Sequence, residues 1–343
     1  MRGRFTMLLL ALVVLVSFDA WLRYHRATDR LADSVLRPLV DPAREIVPER
    51  IRAVRLRAPG AKGEWRYERR GDSWRFPGYF DAYVHGDRMG SFLEILLRAS
   101  GTRATDDPDV HSKLGVVDPQ AFRVVLEGSD GDLAEFFLGS GIPGPLGEES
   151  YGRLAGQDLV LHLHVNPVRL LGAAQPSLLD PHLLPRGESR RAITEVRVTS
   201  PEQSYLLRRV LAPLPDDAPP LPFSEADRYR WVLEQNSHID TCIDVNVHTW
   251  LAWLRSARFE RLVNPDDDGY GLGSVGSVQL LDEENVSDHL RLGRAASNNA
   301  IYVGSDATGL VTVMPVERAR WLLPPPDIML QPLADPSPFE SIP

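Results

Sequence analysis

An α+β fold is predicted for this chain: two tandem, similar modules, each an antiparallel sheet with one amphipathic helix, behind one N-terminal transmembrane helix. Three observations lead to it. Short segments alternate apolar and charged residues, two longer segments have a helical period, and the same succession of signals occurs twice. The predicted organisation is an anchor with its flanks (1–30), a linker (31–50), a first module (51–185), a second module (191–323) and a Pro-rich tail (324–343).

Each module opens with segments typical of half-buried antiparallel strands. Apolar and aromatic residues alternate with charged ones, and Gly71-Asp72 marks a tight turn in the first module. We therefore expect three strands at the start of each module. The matching segments, first module then second, are Ile51, Val54 and Leu56 against Ile193, Val196 and Val198; Trp65–Tyr67 against Tyr205–Leu207; and Trp74–Phe76 against Trp231–Leu233.

Each module then changes to a helical period, and a common series of strands follows. Residues three and four apart lie on one face of a helix, so the apolar spacing predicts one amphipathic helix per module. The helical positions are Met89, Phe92, Leu93, Leu96 and Leu97 in the first module and Val247, Trp250, Leu251 and Leu254 in the second. The later pairs are strands Phe122–Leu126 and Val278–Leu281, Leu138-Gly139 and Leu292-Gly293, Tyr151 and Tyr302, strands Leu159–Leu161 and Val311–Val313, and short helices opened by Pro167 and Pro315.

Proline-rich stretches mark the predicted connections. The boundary between the modules is placed in Leu183–Arg190, and Pro213–Pro222 reads as a solvated loop inserted in the second module. The tail, Pro324–Pro343, is expected to be extended or partly disordered.

The N-terminus carries an apolar run, Met7–Val16, which continues through Phe18–Leu22 and follows Arg2 and Arg4. A cleaved signal peptide would need small residues at the cleavage site, and the residues before Ala20 fit poorly. A buried helix is the other alternative. We expect an uncleaved anchor, although a full span needs about 20 residues. Long downstream domains translocate largely regardless of charge, so we expect a single-pass protein of the inner or cytoplasmic membrane with both modules extracytoplasmic.

Charge and cysteine content exclude some classes of function. The net charge is −9, and the first thirty residues are basic, so the modules are more acidic still. An acidic surface argues against nucleic acid as a partner and against docking on anionic lipid. Cys242 is the only cysteine and lies in a strand-like segment, so we expect a buried thiol without a redox or nucleophilic role.

Two glycine and aspartate patterns resemble ligand-binding loops. The segment Gly271–Gly276 satisfies G-x-G-x-x-G, but it leads into a strand-like segment, whereas dinucleotide binding requires a helix N-terminus. We interpret it as a flexible loop. The acidic run Asp266–Asp268 lacks the spaced ligands of an EF-hand and is expected to form a turn, with weak calcium binding as the minor alternative.

Other chemistry-bearing residues lack identifiable partners. His162 and His164 share one face of a strand, but no third metal ligand can be named. Ser140 has no assignable base, and the acidic pairs Asp106-Asp107 and Glu148-Glu149 are expected in loops. We therefore assign no catalytic, cofactor-binding or metal-binding residue. The tryptophans are expected mainly in the core, with one or two at an interface: Trp65, Trp74, Trp231, Trp250 and Trp253.

A family resemblance emerges from the turns of the first module. The series comprises Gly71–Trp74, the amphipathic helix, Leu114-Gly115 with Asp118-Pro119, Leu138-Gly139 and Tyr151–Arg153. The chain resembles in this respect the bacterial domain-of-unknown-function 4340 family, whose members are commonly membrane-anchored and often accompany gliding-motility-type ABC transporter components. The second module fits loosely: the Asp-Pro is missing, and Gly304 replaces the arginine that would follow Tyr302.

The resemblance implies a non-catalytic extracytoplasmic accessory subunit whose partners are the permease and ATPase subunits of an ABC transporter. Lys62 and Lys113 are the only lysines and neither completes a Walker A motif, so the ATPase is expected to be another polypeptide. One alternative is a cell-envelope protein that binds glycan or peptide without a transporter. The other is a hydrolase whose catalytic groups meet only in the fold.

Overall fold

The computed structural model describes residues 17–19, 35–144, 147–171, 178–184, 193–212, 228–283 and 287–332. In the first half, 3-10 helices occur at Pro42–Arg44, Pro48–Arg50 and Pro167–Leu170. The strands and α-helices are, in order, β1 (Arg37–Pro38), β2 (Ala53–Arg57), β3 (Trp65–Arg70), β4 (Ser73–Phe76), β5 (Ala82–Val84), α1 (Gly86–Arg98), β6 (Ser100–Thr105), α2 (Pro108–His111), β7 (Phe122–Glu127), β8 (Asp132–Leu138), β9 (Ile142–Gly144), β10 (Gly147–Leu154) and β11 (Val160–Leu163).

The second half continues with an equivalent set. Its 3-10 helices are Asp268–Tyr270 and Arg320–Leu322. Its strands and α-helices are β12 (Glu195–Thr199), β13 (Ser204–Leu211), β14 (Tyr229–Gln235), β15 (His238–Thr241), α3 (Asp244–Ser256), β16 (Arg261–Val263), β17 (Gly276–Leu281), β18 (Ser287–Ser297), β19 (Ala300–Ser305), β20 (Leu310–Pro315), α4 (Val316–Ala319) and α5 (Asp327–Leu330).

Contacts divide the described chain into two compact units. The first contains residues up to Arg70 and the stretch Asp87–Leu178, and the second contains Gly71–Gly86 together with residues from Leu179 onward. By these contacts the hairpin of β4 and β5 belongs to the second unit. The modules 51–185 and 191–323 stay a prediction.

The two units share one strand order. In the first sheet it runs β1-β6-β11-β10-β8-β7-β2-β3-β4-β5, with β9 beside β10. In the second it runs β16-β20-β19-β18-β17-β12-β13-β14-β15. All these neighbours are antiparallel, as between β2 and β7 and between β12 and β17. If β2 is matched with β12 and each later strand with its counterpart, the nine positions from β6 to β5 coincide with the nine from β16 to β15.

Antiparallel sheets with few helices confirm the α+β class, and the helices bury the residues that their spacing predicts, except that Leu97 is only partly buried. Helix α1 buries Met89, Phe92, Leu93 and Leu96. Helix α3 buries Val247, Trp250, Leu251 and Leu254 against the second sheet, and the indole Nε1 of Trp250 donates a hydrogen bond to the carbonyl of Trp321 at 2.8 Å. All five tryptophans assigned mainly to the core are buried. Apolar burial is therefore what holds each helix to its sheet.

Two sequence predictions are wrong in detail. Three strands were expected before each main helix, but each helix follows a further short strand, β5 or β15, whose composition lacks a strong strand signal. The tail was expected to be extended from Pro324, yet α5 forms within it and Met329 is fully buried. Burial of Met329 overrides the local proline signal. The N–H of Ile243 also donates a hydrogen bond to the carbonyl of Met329 at 2.8 Å.

Several expectations fall largely outside the described residues. They include the loop Pro213–Pro222 and most of the boundary Leu183–Arg190, of which Leu183 and Leu184 are described. Only 17–19 of the predicted anchor are described. Within the part of the chain that the structure describes, no helix has the length and apolar character needed to cross a membrane.

Candidate functional site

The most buried ionisable pair lies in the second unit, on the segment Leu179–Leu184. This segment is held on both sides by main-chain contacts. Leu179 bridges Val84, and Asp180 N–H donates to the carbonyl of Tyr83 at 2.9 Å. On the other side, Phe259 N–H donates to the carbonyl of Pro181 at 2.9 Å. The segment therefore joins β5 to the chain after α3.

The pair consists of Asp180 and His182. Their side chains are 5% and 1% exposed, and Nδ1 of His182 contacts Oδ1 of Asp180. The same oxygen accepts the backbone N–H of His182 at 3.1 Å. Burial opposes ionisation of Asp180, but its hydrogen bonds with His182 outweigh burial and lower the pKa of the Asp180 carboxyl. Oδ1 of Asp180 therefore has two partners, the backbone N–H and the Nδ1 of His182.

The far side of the His182 ring is different. Its Nε2 is buried and has no hydrogen-bond partner among the described residues. The nearest aromatic neighbour is His85, whose ring centroid is 6.4 Å away at 65°. A carboxylate that orients an imidazole is the arrangement used both by general bases and by metal-ligating histidines. Nevertheless, no group of three His, Cys, Asp or Glu side chains suited to a metal occurs in the described residues.

A second buried carboxylate lies in the first unit, on β10. Glu149 is 6% exposed, and its Oε2 lies 2.8 Å from Nε2 of His162 on β11. The register pairs Tyr151 with His162, so Glu149, Tyr151 and His162 share one face of these strands. A Cβ at Gly144 would lie 2.1 Å from the carboxyl carbon of Glu149. Glycine at this position therefore makes room for the carboxylate.

This arrangement corrects one prediction and extends another. Glu148-Glu149 was expected in a loop, but both residues lie in β10, where pairing with β9 overrides the weak strand propensity of glutamate. Of the two histidines expected on one strand face, His162 lies in β11, whereas His164 follows the last residue of that strand; the carboxylate that contacts His162 is Glu149. Their alignment depends on the register of β10 and β11, which the sequence pattern did not reveal.

The patterns that resemble ligand loops are structural. Gly276 begins β17, so the G-x-G-x-x-G segment leads into a strand, as the sequence predicted, and not into the helix N-terminus that binds a dinucleotide. The acidic run is a turn and a 3-10 helix, as expected. The hydroxyl of Tyr270 donates to the carbonyl of Asn264 at 2.7 Å and lies 3.2 Å from Oδ2 of Asp267.

The remaining predicted residues follow the sequence interpretation. Cys242 is buried, as expected, and burial raises the pKa of its thiol to about 12. Ser140 is exposed after β8. The side chain of Asp107 caps α2 by accepting the N–H of Asp109 at 3.0 Å. Asp106 pairs with Arg103 at 2.7 Å, and this contact lowers the pKa of its carboxyl.

One polar cluster was not foreseen. The hydroxyl of Ser305 donates to Oδ1 of Asp288 at 3.2 Å, and next to them His289 and Arg291 contact Asp306 at 3.0 and 2.6 Å. Burial raises the pKa of the Asp288 carboxyl despite the Ser305 bond. The residues come together because β18 pairs with β19, with Leu290 opposite Ser305.

The free end of the second sheet was also missed. Strand β15 is the last strand in the described order, and Ile239 at its centre is 62% exposed. Val245, near the start of α3, is 65% exposed. These are the largest exposed fractions among the exposed large apolar side chains of the described chain. Exposed apolar residues beside an open strand edge indicate a surface for protein contacts.

Comparison with known proteins gives one match. No curated protein and no solved structure is similar enough to the chain to be reported as a match. The family model described as Domain of unknown function (DUF4340) matches residues 74–274, from β4 in the hairpin of the second unit to the loop before β17. Because this match spans more than half of the sequence, the chain belongs to the DUF4340 family.

Proposed function

We propose that this protein is a non-catalytic extracytoplasmic accessory subunit of an ABC-transporter-type membrane complex, anchored by its N-terminal segment. The observation that carries the proposal is the repeated strand order, since two sheets of one design present two similar sets of surfaces. Such surfaces suit a transporter with two similar membrane subunits. Membership of DUF4340 supports the proposal through the transporter association that the resemblance implies.

The repetition is proposed to reflect two tandem modules of one kind. Besides the shared strand order, the main helices bury equivalent positions: Phe92 of α1 corresponds to Trp250 of α3, and both are fully buried. Both helices follow a short hairpin, β4–β5 or β14–β15. A common design at these several levels is more specific than a shared fold class.

Protein contact, rather than chemistry, accounts for the conspicuous surface features. Ile239 and Val245 expose apolar side chains at one end of the second unit. In the first unit, Arg55 makes ion pairs with Glu127 at 2.5 Å and with Asp132 at 3.1 Å, which leaves a charged, solvated sheet face. A mixed surface of this type is common where proteins bind one another.

Affinity purification from native membranes tests the proposal. The full-length tagged chain would be solubilised in mild detergent and its companions quantified by mass spectrometry, with an unrelated tagged single-pass protein as the control. We expect an ABC permease and its ATPase to be enriched together and in fixed ratio. Recovery of envelope glycan or peptide without either subunit would contradict the transporter role and favour the envelope-binding alternative.

A reciprocal purification adds a second criterion. When the permease identified in the first experiment carries the tag, this chain should be recovered at a constant ratio to the ATPase across detergents. A ratio that falls to the background of the unrelated control would show that the first recovery was adventitious and would overturn the proposal.

A further inference from the structure

Strand β15 forms the open edge of the second sheet in the described chain. It pairs with β14 across the two-residue turn Asn236-Ser237, whose φ angles are 50° and 64°. Positive φ at both central residues defines the type I′ turn of tight hairpins. The residues flanking such a turn, Gln235 and His238, form the first hydrogen-bonded pair.

The alternation of pairs along the hairpin fixes which backbone groups face outward. Counting from His238, Asp240 is the next residue bonded to β14, and Cys242 N–H does donate to the carbonyl of Trp231 at 2.9 Å. The N–H and C=O groups of Ile239 and Thr241 therefore point away from β14. Among the described strands, none pairs with this outer side.

The side chains of β15 are self-complementary. Ile239 is 62% exposed and stands between His238 and Asp240. If two copies of β15 pair in antiparallel fashion about Ile239, each Ile239 meets its counterpart. Each His238 then stands opposite the Asp240 of the other copy, and this opposition occurs twice. The register in which one strand slips by two residues would instead place the two Asp240 carboxylates face to face, which is unfavourable.

We propose that β15 is a homodimerisation edge: two copies of this chain join their second sheets by antiparallel pairing of β15, with Ile239 on the twofold axis. The outward backbone groups of Ile239 are bonded reciprocally, and the imidazole–carboxylate pairs set the register. A twofold symmetric contact of this kind is closed. It yields a dimer and cannot extend into a polymer. No such assembly is required by the accessory function, so the proposal stands independently of it.

Cysteine cross-linking of the full-length chain in mild detergent tests the register. The native Cys242 is buried and does not compete. In Ile239→Cys the two Cα atoms would be about 5.5 Å apart, within the range of a disulfide. In Thr241→Cys they would be about 13 Å apart and unable to react. We expect a disulfide-linked dimer for Ile239→Cys and at least tenfold less for Thr241→Cys.

Two controls make the cross-linking decisive. Val316→Cys places a thiol on another exposed apolar site, 43% exposed, and reports random collision. Equal cross-linking of Val316→Cys and Ile239→Cys would overturn the proposal. So would cross-linking that requires a mixture of Ile239→Cys and Thr241→Cys chains, because that outcome indicates the shifted register.

A charge exchange tests the pairing without adding thiols. His238→Asp would place two acidic residues opposite each other at both ends of the contact, and we expect the association constant from sedimentation equilibrium to fall about tenfold. Adding Asp240→His restores opposite partners and should return the constant to within about twofold of the native value. Monomeric native protein at every concentration, or failure of the double variant to recover with unchanged circular dichroism, would overturn the proposal.

Discussion

The hairpins β4–β5 and β14–β15 occupy the same position in the two halves of the chain. They differ in burial, because β5 is buried whereas β15 exposes side chains to solvent. In β5, Ala82, Tyr83 and Val84 are all buried, and Tyr83 packs in a cluster with Leu262 and Leu310. In β15, by contrast, Ile239 is 62% exposed. A repeated pattern thus specifies a hairpin in both places, but the tertiary partner decides whether that hairpin becomes core or edge.

Local sequence explains part of this difference. Strand β5 is entirely apolar or aromatic, whereas β15 contains His238, Asp240 and Thr241. The connecting loops differ as well, since residues 77–81 separate β4 from β5 but only Asn236-Ser237 separates β14 from β15. The longer loop permits a different exit direction for β5, and apolar composition makes its burial favourable.

The largest effect is expected from removing the aromatic ring of the buried hairpin. Tyr83→Ala should destabilise the second unit by about 3–5 kcal/mol, because it leaves a cavity beside Leu262. Ile239→Ala, at the centre of the other hairpin, should cost less than about 0.5 kcal/mol. Thermal unfolding and hydrogen exchange of residues 261–263 would measure both. Equal destabilisation by the two variants would show that the hairpins are buried alike.

A smaller loss of stability is expected when the buried pair Asp180–His182 is disrupted. Asp180→Asn should cost about 2–3 kcal/mol at pH 7, because a buried imidazole loses its carboxylate. The matched change in the first unit, Glu149→Gln, should cost less, since the side chain of His162 is 34% exposed. Chemical denaturation followed by hydrogen exchange in each unit would compare them.

The Asp180 pair also has a defined pH dependence. Because the folded pKa of Asp180 is lowered, its stabilising contribution is present above the unfolded value of about 3.9 and is lost as pH falls through the folded pKa. The stability difference between native protein and Asp180→Asn should therefore shrink on acidification below about pH 4. A difference that stays constant into that range would contradict the assignment.

The contribution of Asp288 to stability should depend on pH with the opposite sign. Burial raises its folded pKa, so the ionised carboxylate opposes folding as pH rises from the unfolded pKa through the folded one. Asp288→Asn keeps an oxygen that can accept from Ser305 and should raise Tm at pH 7, with a smaller gain near pH 4. Ser305→Ala serves as the control for the hydrogen bond, and its Tm should fall. A lower Tm for Asp288→Asn would refute the reasoning.

The last prediction concerns the chemical reactivity of Cys242 and involves no change in stability. With a thiol pKa of about 12, almost no thiolate forms at pH 8, and the side chain is buried. Labelling by a maleimide should therefore be slow in the native protein and complete in denaturant. Val316→Cys, at a position that is 43% exposed, should label rapidly under native conditions. Rapid native labelling of Cys242 would place the thiol at the surface.

The features that sequence predicted well are those set by local periodicity. The spacing of Met89 to Leu96 and of Val247 to Leu254 predicted both main helices and their buried faces. The turn before β4 and the strand following Gly271–Gly276 were also predicted, because glycine and alternation are local signals. These features required no knowledge of which strands pair.

Features that depend on long-range register escaped prediction. Glu149 meets His162 only through the alignment of β10 with β11, and Asp288 meets Ser305 only through β18 and β19. Strand β5 lacks alternation because it is buried throughout. Helix α5 follows prolines that locally favour an extended chain, but burial of Met329 decides its structure.

Native-state hydrogen exchange of the unaltered full-length chain, diluted until it is monomeric, tests the central comparison most directly. With increasing denaturant, amides of β4 and β5 should lose protection together with β16 and β20 of the second unit, while β15 exchanges at lower free energy as an open edge. Joint loss of protection by β5 and β7, or protection of β15 equal to that of β5, would contradict the assignment of one hairpin to the core and the other to the edge.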